Sequence, residues 1–547
     1  MTIETRITPE MITEYTAKGY WGNLTIRDRF NERVRNHPHR TAVVDRERSI
    51  TYEELDQISS RLALNFLGLG VKKDDIVCIQ LPNSTTLSLT LFALVKIGAV
   101  IVAFPSLFRA KEVDYILKLT SSPAFVIPRK IKDFDYCHMV EDLRPDLPDL
   151  KQVIVAGEEV PPGTISLTEM IEKLPQKEYP PDYPETMDLD ANDVFQLVMS
   201  AGTESQPKGC MWTHNTAHNI LHPLGEVLKI AEDSVIFLAV PLSSGFGAGI
   251  GILANAMSGA TLVLLDEFDP EEILRRMEKE KVTLFFGVSA QMISMLNLPD
   301  LDRYDLSSLE CWISFGAPVP VAVAREARSK LGCQVIPGYG SSESTIIMPG
   351  RDDPFEAIID TVGKPIGALE ANIFDDEGRE LKQGEVGEIW VRGPSLFVGY
   401  YKRPDLNRKT YNEEGWFFSG DLARVDENGN YIIEGRKKDM ILRGGVNISA
   451  LELEELLFTH PKILNATVVA MPDARMGEKA CAYIVCRHGE EITMEEVVSF
   501  LRGEQLAVYK LPERIEVVNE LPMTPAGKVQ KRLLREDVAG KLEEEGN

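Results

Sequence analysis

The sequence predicts an α/β protein, with layered units of mainly parallel strands, then a β-rich unit, then a small α+β unit. Three observations carry that expectation. Helical and strand patterns alternate through the first 190 residues and again to about Glu343. Short β-runs separated by Gly- and Asp-rich turns fill Thr361 to Gly435. A compact helix–strand–strand–helix pattern follows Asp439.

Early in the chain, ITYEELDQISSRLALNFLGLG has helical apolar spacing and ends in Gly, and DIVCIQL is a short buried strand. LSLTLFALVKIGAVIVAF reads as helix, Gly stop and strand. The Pro-rich, charged LPQKEYPPDYPETMDLDAND reads as a linker or long surface loop. Gly247 to Leu265 carries no charge, yet Gly259 divides it into a helix-like GAGIGILANAM and a strand-like ATLVLLD, a buried pair and not a membrane span. The runs ANIFD, GEIWVRG, GWFFSGDLARVD and YIIEG suggest an antiparallel or barrel-like unit. Helix ALELEELLFTH, strands ATVVAM and ACAYIVC, helix MEEVVSFLRGE and a basic tail complete the chain. The terminal KLEEEGN reads as a solvated, fraying helix end. These patterns place an N-terminal domain at 1–436, with subdomains at about 1–190, 191–345 and 346–436, and a C-terminal domain at 437–547.

With 44% hydrophobic and 26% charged residues the composition is globular, which excludes disorder and fibres. Asp+Glu 84 against Lys+Arg 59 gives a net charge of −25, a surface that repels nucleic acid and anionic membranes. Seven scattered cysteines argue against a disulfide framework and for a reducing cytoplasm. Cys481 and Cys486, five apart on one strand, point to opposite faces and do not share a metal. MTIETRITPEM has neither the basic start nor the apolar run of a signal peptide. A soluble, cytoplasmic protein is expected.

The most informative local string is FQLVMSAGTESQPKGCMWTHNT. A buried strand, Val194 to Met199, runs into a loop of small and hydroxyl residues and then into a helix starting near Thr213. Ser200, Gly202, Thr203 and Ser205 can aim N–H groups and hydroxyls at a polyphosphate, and Lys208 adds a cation. The string is not a Walker loop, because Gly209 and not Ser or Thr follows the lysine. His214, His218 and His222 sit at helical spacing, but the outer two are about 12 Å apart along a helix, too far to share an ion. GFGAGIG lacks the spacing of a dinucleotide loop and its following acid. RKKD at 436–439 is read as a hinge and ribose site, not as a nucleic-acid patch.

With SFGAP (Ser314 to Pro318), PGYGSSES (Pro337 to Ser344), GEVGEIWVRGPSLFVGYYKRP (Gly384 to Pro404), GWFFSGDLARVDENG (Gly415 to Gly429), EGRKKDMILRGGVNISALELE (Glu434 to Glu454) and LPMTPAGKVQKRLLR (Leu521 to Arg535), the chain resembles the adenylate-forming enzymes. That superfamily includes acyl-CoA synthetases, stand-alone aryl-acid adenylating enzymes, luciferases and peptide-synthetase adenylation domains. The resemblance runs from about Trp21 to Arg535. The phosphate loop differs from the family's at Glu204 and Ser205, where Thr and Gly are usual.

The resemblance implies a role for each motif. Gly316, Ala317 and Pro318, with Gly338, Tyr339, Gly340 and Ser342, would surround AMP, Tyr339 stacking on adenine and Ser342 lying near the α-phosphate. Glu343 and Thr203 would attend Mg2+. Asp421 and Arg436 would hold the ribose. Lys528 would reach the acyl carboxylate and the α-phosphate, and Lys438 would be the pivot that exchanges the Lys528 face for the Gly445 face during thiol transfer. Catalysis would then rest on Lys528, Glu343, Lys208 and Gly445. The implied cofactors are ATP, Mg2+ and CoA, acting on a small carboxylic acid. A carrier protein as acceptor and a non-catalytic nucleotide sensor are the alternatives, and a homodimer is left open.

Ser244, Gly245 and Phe246 correspond to the family's acyl-pocket segment. Many members have an aromatic and a His where Ser243 and Ser244 stand, and the dihydroxybenzoate enzymes have a His-Asn pair where this chain has Ser244 and Gly245. No acid, base or histidine lies between Ser234 and Leu265, so this segment offers no partner for an ammonium or a second carboxylate. An apolar monocarboxylate, aliphatic, alicyclic or simple aryl, fits best.

Overall fold

Short runs of Val, Ile, Leu and Phe, buried on both faces, build two seven-stranded, mostly parallel sheets, the pattern expected where helices cover each face. The computed structural model describes residues 3–174, 179–199, 207–343, 345–444, 446–524 and 527–545. One sheet runs Gln334–Pro337, Cys311–Ser314, Leu284–Gly287, Val235–Leu238, Thr261–Leu264, Thr41–Val44, Ser49–Thr51. The other runs Gly209–Thr213, Val194–Met199, Val100–Ala103, Ile76–Ile79, Ala124–Pro128, Gln152–Ala156, Ile165–Ser166. Helices between them start at capping boxes, Thr25 with Asp28 and Thr51 with Glu54, which satisfy the first free N–H groups. One continuous core takes Val77, Ile101 and Phe195 from one sheet and Ile236, Leu262 and Phe286 from the other.

One expectation is corrected here, and one strand is added. The boundary near residue 190 separates no sheets: Thr41–Val44 pairs with Thr261–Leu264, while Val194–Met199 pairs with Val100–Ala103. A short apolar run records that it is a strand but not which distant strand it joins. The helix expected near Thr213 begins at His214, and the stretch before it is a strand that the sequence reading did not give. Gly209–Thr213 is a strand antiparallel to Val194–Met199, and the helix His214–Leu228 begins only afterwards, capped by Thr213.

The uncharged segment folds as helix Gly245–Ile252, a π-helical turn Leu253–Ser258 and strand Thr261–Leu264. Among the described residues no helix is long and apolar enough to cross a membrane. The β-rich unit contains a four-stranded antiparallel meander, Glu370–Phe374, Gly387–Arg392, Phe417–Val425 and Tyr431–Arg436, and a three-stranded sheet.

Beyond it, helices Ala450–Phe458, Met494–Gly503 and Lys531–Glu545 attend a five-stranded sheet. Its apolar clusters, from Ile441 to Val538, draw on this segment alone. Both guanidinium NH2 groups of Arg514 hold the Glu545 carboxylate at 2.8 Å, and Lys541 bridges to Glu516 at 2.7 Å.

Candidate functional site

The site lies where strand ends of the large domain meet a turn from the C-terminal unit. Asp421 and Arg436 stand opposite each other on neighbouring antiparallel strands, so the register itself makes them a pair. Arg436 Nε lies 2.9 Å from Asp421 Oδ1, and the Tyr339 hydroxyl donates to Oδ2 at 2.7 Å. Asp421 is only 5% exposed. Burial, then the Asp421 charge, pushes the Tyr339 phenol up, so it stays a donor. A carboxylate has about four acceptor positions, which leaves two for incoming hydroxyls.

The glycines around Tyr339 are explained by space. A Cβ at Gly338 would lie 2.4 Å from the Phe315 ring, and one at Gly340 would lie 3.0 Å from the Thr345 carbonyl oxygen. Gly316, with φ +90°, turns the chain after strand Cys311–Ser314 and leads into Ala317 and Pro318. The Lys528 side chain lies over it, with Cε 3.2 Å from where a Gly316 Cβ would stand. The Lys528 turn is closed by the Thr524 hydroxyl, which accepts from its N–H at 3.1 Å. Gly527, at φ +76°, lets this turn reach Val288. Burial pushes the Lys528 ammonium down, aided by the Arg436 charge and opposed by Asp421 and Glu343. One lysine from the last 30 residues therefore sits within the field of Asp421, Arg436 and Glu343.

Glu343 follows strand Tyr339–Ser341. Its Oε1 accepts from the Tyr400 hydroxyl at 2.7 Å, and Lys208 Nζ lies 5.2 Å from the centre of the Tyr400 ring. Tyr400 was not singled out from the sequence. The signal was the Gly-Tyr-Tyr of Gly399 to Tyr401, whose meaning depends on a pairing nearly 200 residues away. Trp212 was also missed; its indole N–H donates to the Ser342 carbonyl at 2.9 Å.

Gly245 lies beside Ser342, where a Cβ would stand 2.7 Å from Val198 Cγ1 and 3.3 Å from Ser342 Oγ. Phe246 packs on Phe315 and Phe286, with ring centres 5.0 and 6.0 Å away. The Ser244 hydroxyl donates to the Pro241 carbonyl at 2.7 Å and accepts from Gly247 N–H at 3.1 Å, so its polarity caps the helix. Lys438 lies in the short turn Lys437–Asp439, between the last strand of the large domain and the C-terminal unit. Ser200, Gly202, Thr203, Ser205 and Gly445 lie outside the described residues.

The three histidines are engaged in packing along their helix. His214 Nδ1 accepts from Ile26 N–H at 3.1 Å, its ring stacks on Phe195, and burial pushes it down to about 4. His218 and His222 stack on each other. Among the described residues no three His, Cys, Asp or Glu side chains could hold a metal by themselves.

The family of AMP-binding enzymes matches residues 30–401, and the AMP-binding enzyme C-terminal domain matches 452–528. The chain belongs to the AMP-binding enzymes. It is 35% identical over 533 residues to the medium-chain fatty-acid–CoA ligase of Escherichia coli K12, covering 96% of this chain and 93% of that protein. It is 32% identical to the 2,3-dihydroxybenzoate-AMP ligase of Bacillus subtilis 168, covering 97% of each. The crystal structure of the anthranilate CoA ligase AuaEII with anthranoyl-AMP superposes with a TM-score of 0.88 at 26% identity, covering 95% of this AMP-binding enzyme and 98% of that chain.

Proposed function

We propose that this AMP-binding enzyme activates an apolar monocarboxylic acid, aliphatic, alicyclic or simple aryl. The reaction is that of an AMP-forming acid–CoA ligase. ATP and the carboxylate give acyl-AMP and pyrophosphate, and CoA thiol then displaces AMP. The observation that carries this reading is Lys528, brought by the C-terminal unit into the large-domain site beside Asp421, Arg436 and Glu343. There its ammonium faces the place where an acyl carboxylate and an α-phosphate would meet, and a fixed cation lowers the cost of charge developing between them. Asp421 would accept from the ribose hydroxyls, with Tyr339 against the base and Ser342 near the α-phosphate.

The pocket wall supports an apolar acid. Gly245 and the partly exposed Phe246 present carbon, backed by the buried Val198, Phe286 and Phe315, and the Ser244 hydroxyl is engaged in its own helix. The names of the relatives, a medium-chain fatty-acid–CoA ligase and an anthranilate CoA ligase, fall in the same range.

Magnesium would be held by Glu343 together with the nucleotide's phosphates, and Thr203 would attend it. The fit rests on the donor set: Glu343 supplies a carboxylate at this point of the site, its Oε1 accepting from Tyr400. A single carboxylate plus phosphates is an ordinary way to bind this ion. When bound, the ion neutralises charge on the phosphates. Pyrophosphate release measured across a series of acids, with and without CoA, tests the reading. Turnover with apolar monocarboxylates, and AMP release coupled to CoA, are expected. Release with no acid tried would overturn it, and acyl-AMP that is passed only to a carrier protein would overturn CoA as acceptor.

A further inference from the structure

Tyr400 touches both halves of the phosphate end of the site. Its hydroxyl donates to Glu343 Oε1 at 2.7 Å, and its ring lies 5.2 Å from Lys208 Nζ, at the foot of the phosphate hairpin. The side chain is 3% exposed. The backbone around it ties the same two segments together. Met211 N–H donates to the Gly399 carbonyl at 3.0 Å, and Tyr401 N–H donates to that of Gly209 at 2.9 Å. Phe397 N–H donates to the Glu343 carbonyl at 3.1 Å. On the other side, Asn407 holds Tyr400 through both backbone groups, accepting from its N–H at 2.7 Å and donating to its carbonyl at 3.2 Å. The phenol therefore has no freedom to drift.

A tyrosine filling a core would need some partner for its hydroxyl. Here the partner is the carboxylate read as the metal ligand, and the bond fixes one of its two oxygens, Oε1. We propose that Tyr400 is a positioning residue that orients the Glu343 carboxylate toward the magnesium–nucleotide complex while its ring seats Lys208. The proposal rests on the reading of Glu343 given above. Outer partners that orient a metal ligand commonly change metal affinity by about tenfold or more when removed.

The test compares the parent protein, Tyr400→Phe and Glu343→Gln. ATP binding is titrated calorimetrically without divalent ion and at rising Mg2+, and Mn2+–ATP bound to each protein is followed by electron paramagnetic resonance. Tyr400→Phe keeps the ring and the Lys208 contact. It should leave metal-free ATP binding unchanged, reduce the Mg2+-dependent gain in affinity by about tenfold, and alter the bound Mn2+ spectrum. The gain is a ratio within each protein, so a smaller folded fraction does not mimic the effect. If Glu343→Gln reduces the gain and Tyr400→Phe does not, the positioning role is wrong while the metal reading stands. If Glu343→Gln leaves the gain untouched, both fall. A Tyr400→Phe protein that binds ATP more weakly by the same factor with and without Mg2+ would make the tyrosine merely structural, and that too overturns the proposal.

Discussion

Asp421 and Lys528 meet in one site but are held in different ways. Asp421 sits on a central strand of the meander, gripped by its cross-strand partner Arg436 and by Tyr339. Lys528 arrives on a turn of a unit with its own apolar core. The seam beneath that unit includes the Ser449 hydroxyl donating to the Glu434 carbonyl at 2.8 Å and Arg487 donating to Asn297 at 3.2 Å. Glycines at 316 and 527 let the chains approach. The difference teaches a division of labour. The contacts proposed for the nucleotide are built into the large domain, whereas Lys528, the cation proposed for the chemistry, is carried by a unit with an apolar core of its own.

The largest expected effect breaks the chemistry without breaking the binding. Lys528→Ala should slow single-turnover pyrophosphate release about 10²–10³-fold and leave ATP affinity near that of the parent protein. If ATP affinity falls in proportion, the division is not real. Next in size, Asp421→Ala should weaken ATP binding by about 1.5–3 kcal/mol, the worth of hydrogen bonds to a charged group. An unchanged calorimetric affinity in a folded variant would remove Asp421 from the ribose contacts.

A third prediction stays within the large domain. Leucine at Gly245 must displace Val198 or crowd Ser342, at a local cost of about 1–3 kcal/mol. Gly245→Leu should lose ring-bearing or bulky acids first and keep ATP affinity. An acid-size profile that does not move would take this segment out of the pocket wall.

The smallest effect sharpens the comparison at the seam. Glu455, on helix Ala450–Phe458, faces Glu434 and Asp360 of the large domain, with Glu452 and Glu454 on its own helix. Three of these acids have cations: Arg424 for Glu434, Lys510 for Glu452 and Lys531 for Glu454. Crowding by neighbouring protein first, and these acids next, push the Glu455 carboxyl from its ordinary 4.5 up to about 7, and because the residue stays exposed to solvent the effect on docking is small. Docking therefore favours the protonated form. The support is complete below about pH 4.5 and is lost as the pH rises through about 7. Proteolytic cleavage in the 437–440 turn should become faster across that range in the parent protein. In Glu455→Gln the pH dependence should flatten. Parallel profiles for the two proteins would show that this carboxyl does not bias docking.

Much of the site was legible because its chemistry is written in short strings. Asp421, Tyr339, Glu343 and Lys528 each stand in a motif whose neighbours explain them locally. What escaped was written across distance. Tyr400 acquires its meaning only when Gly399 to Tyr401 pairs with Gly209 to Met211. The strand Gly209–Thr213 was hidden because Cys-Met-Trp before the capping Thr213 looks as much like a helix approach as a strand. The β-rich unit and the C-terminal unit were easier to read, since their strands pair mainly with near neighbours in sequence.

The pairing of Thr41–Val44 with Thr261–Leu264 has a consequence for how the protein is made. A ribosome adding about 5–20 residues each second leaves the first strand without its parallel neighbour for roughly 10–40 s. During that interval Ala42, Val43 and Val44, all buried in the finished sheet, have no place to go. The nascent N-terminal third should therefore be a client for chaperones that shield apolar segments. A fragment ending near residue 190 should be recovered as aggregate, while the same residues made as part of a chain extending past Leu264 should become soluble.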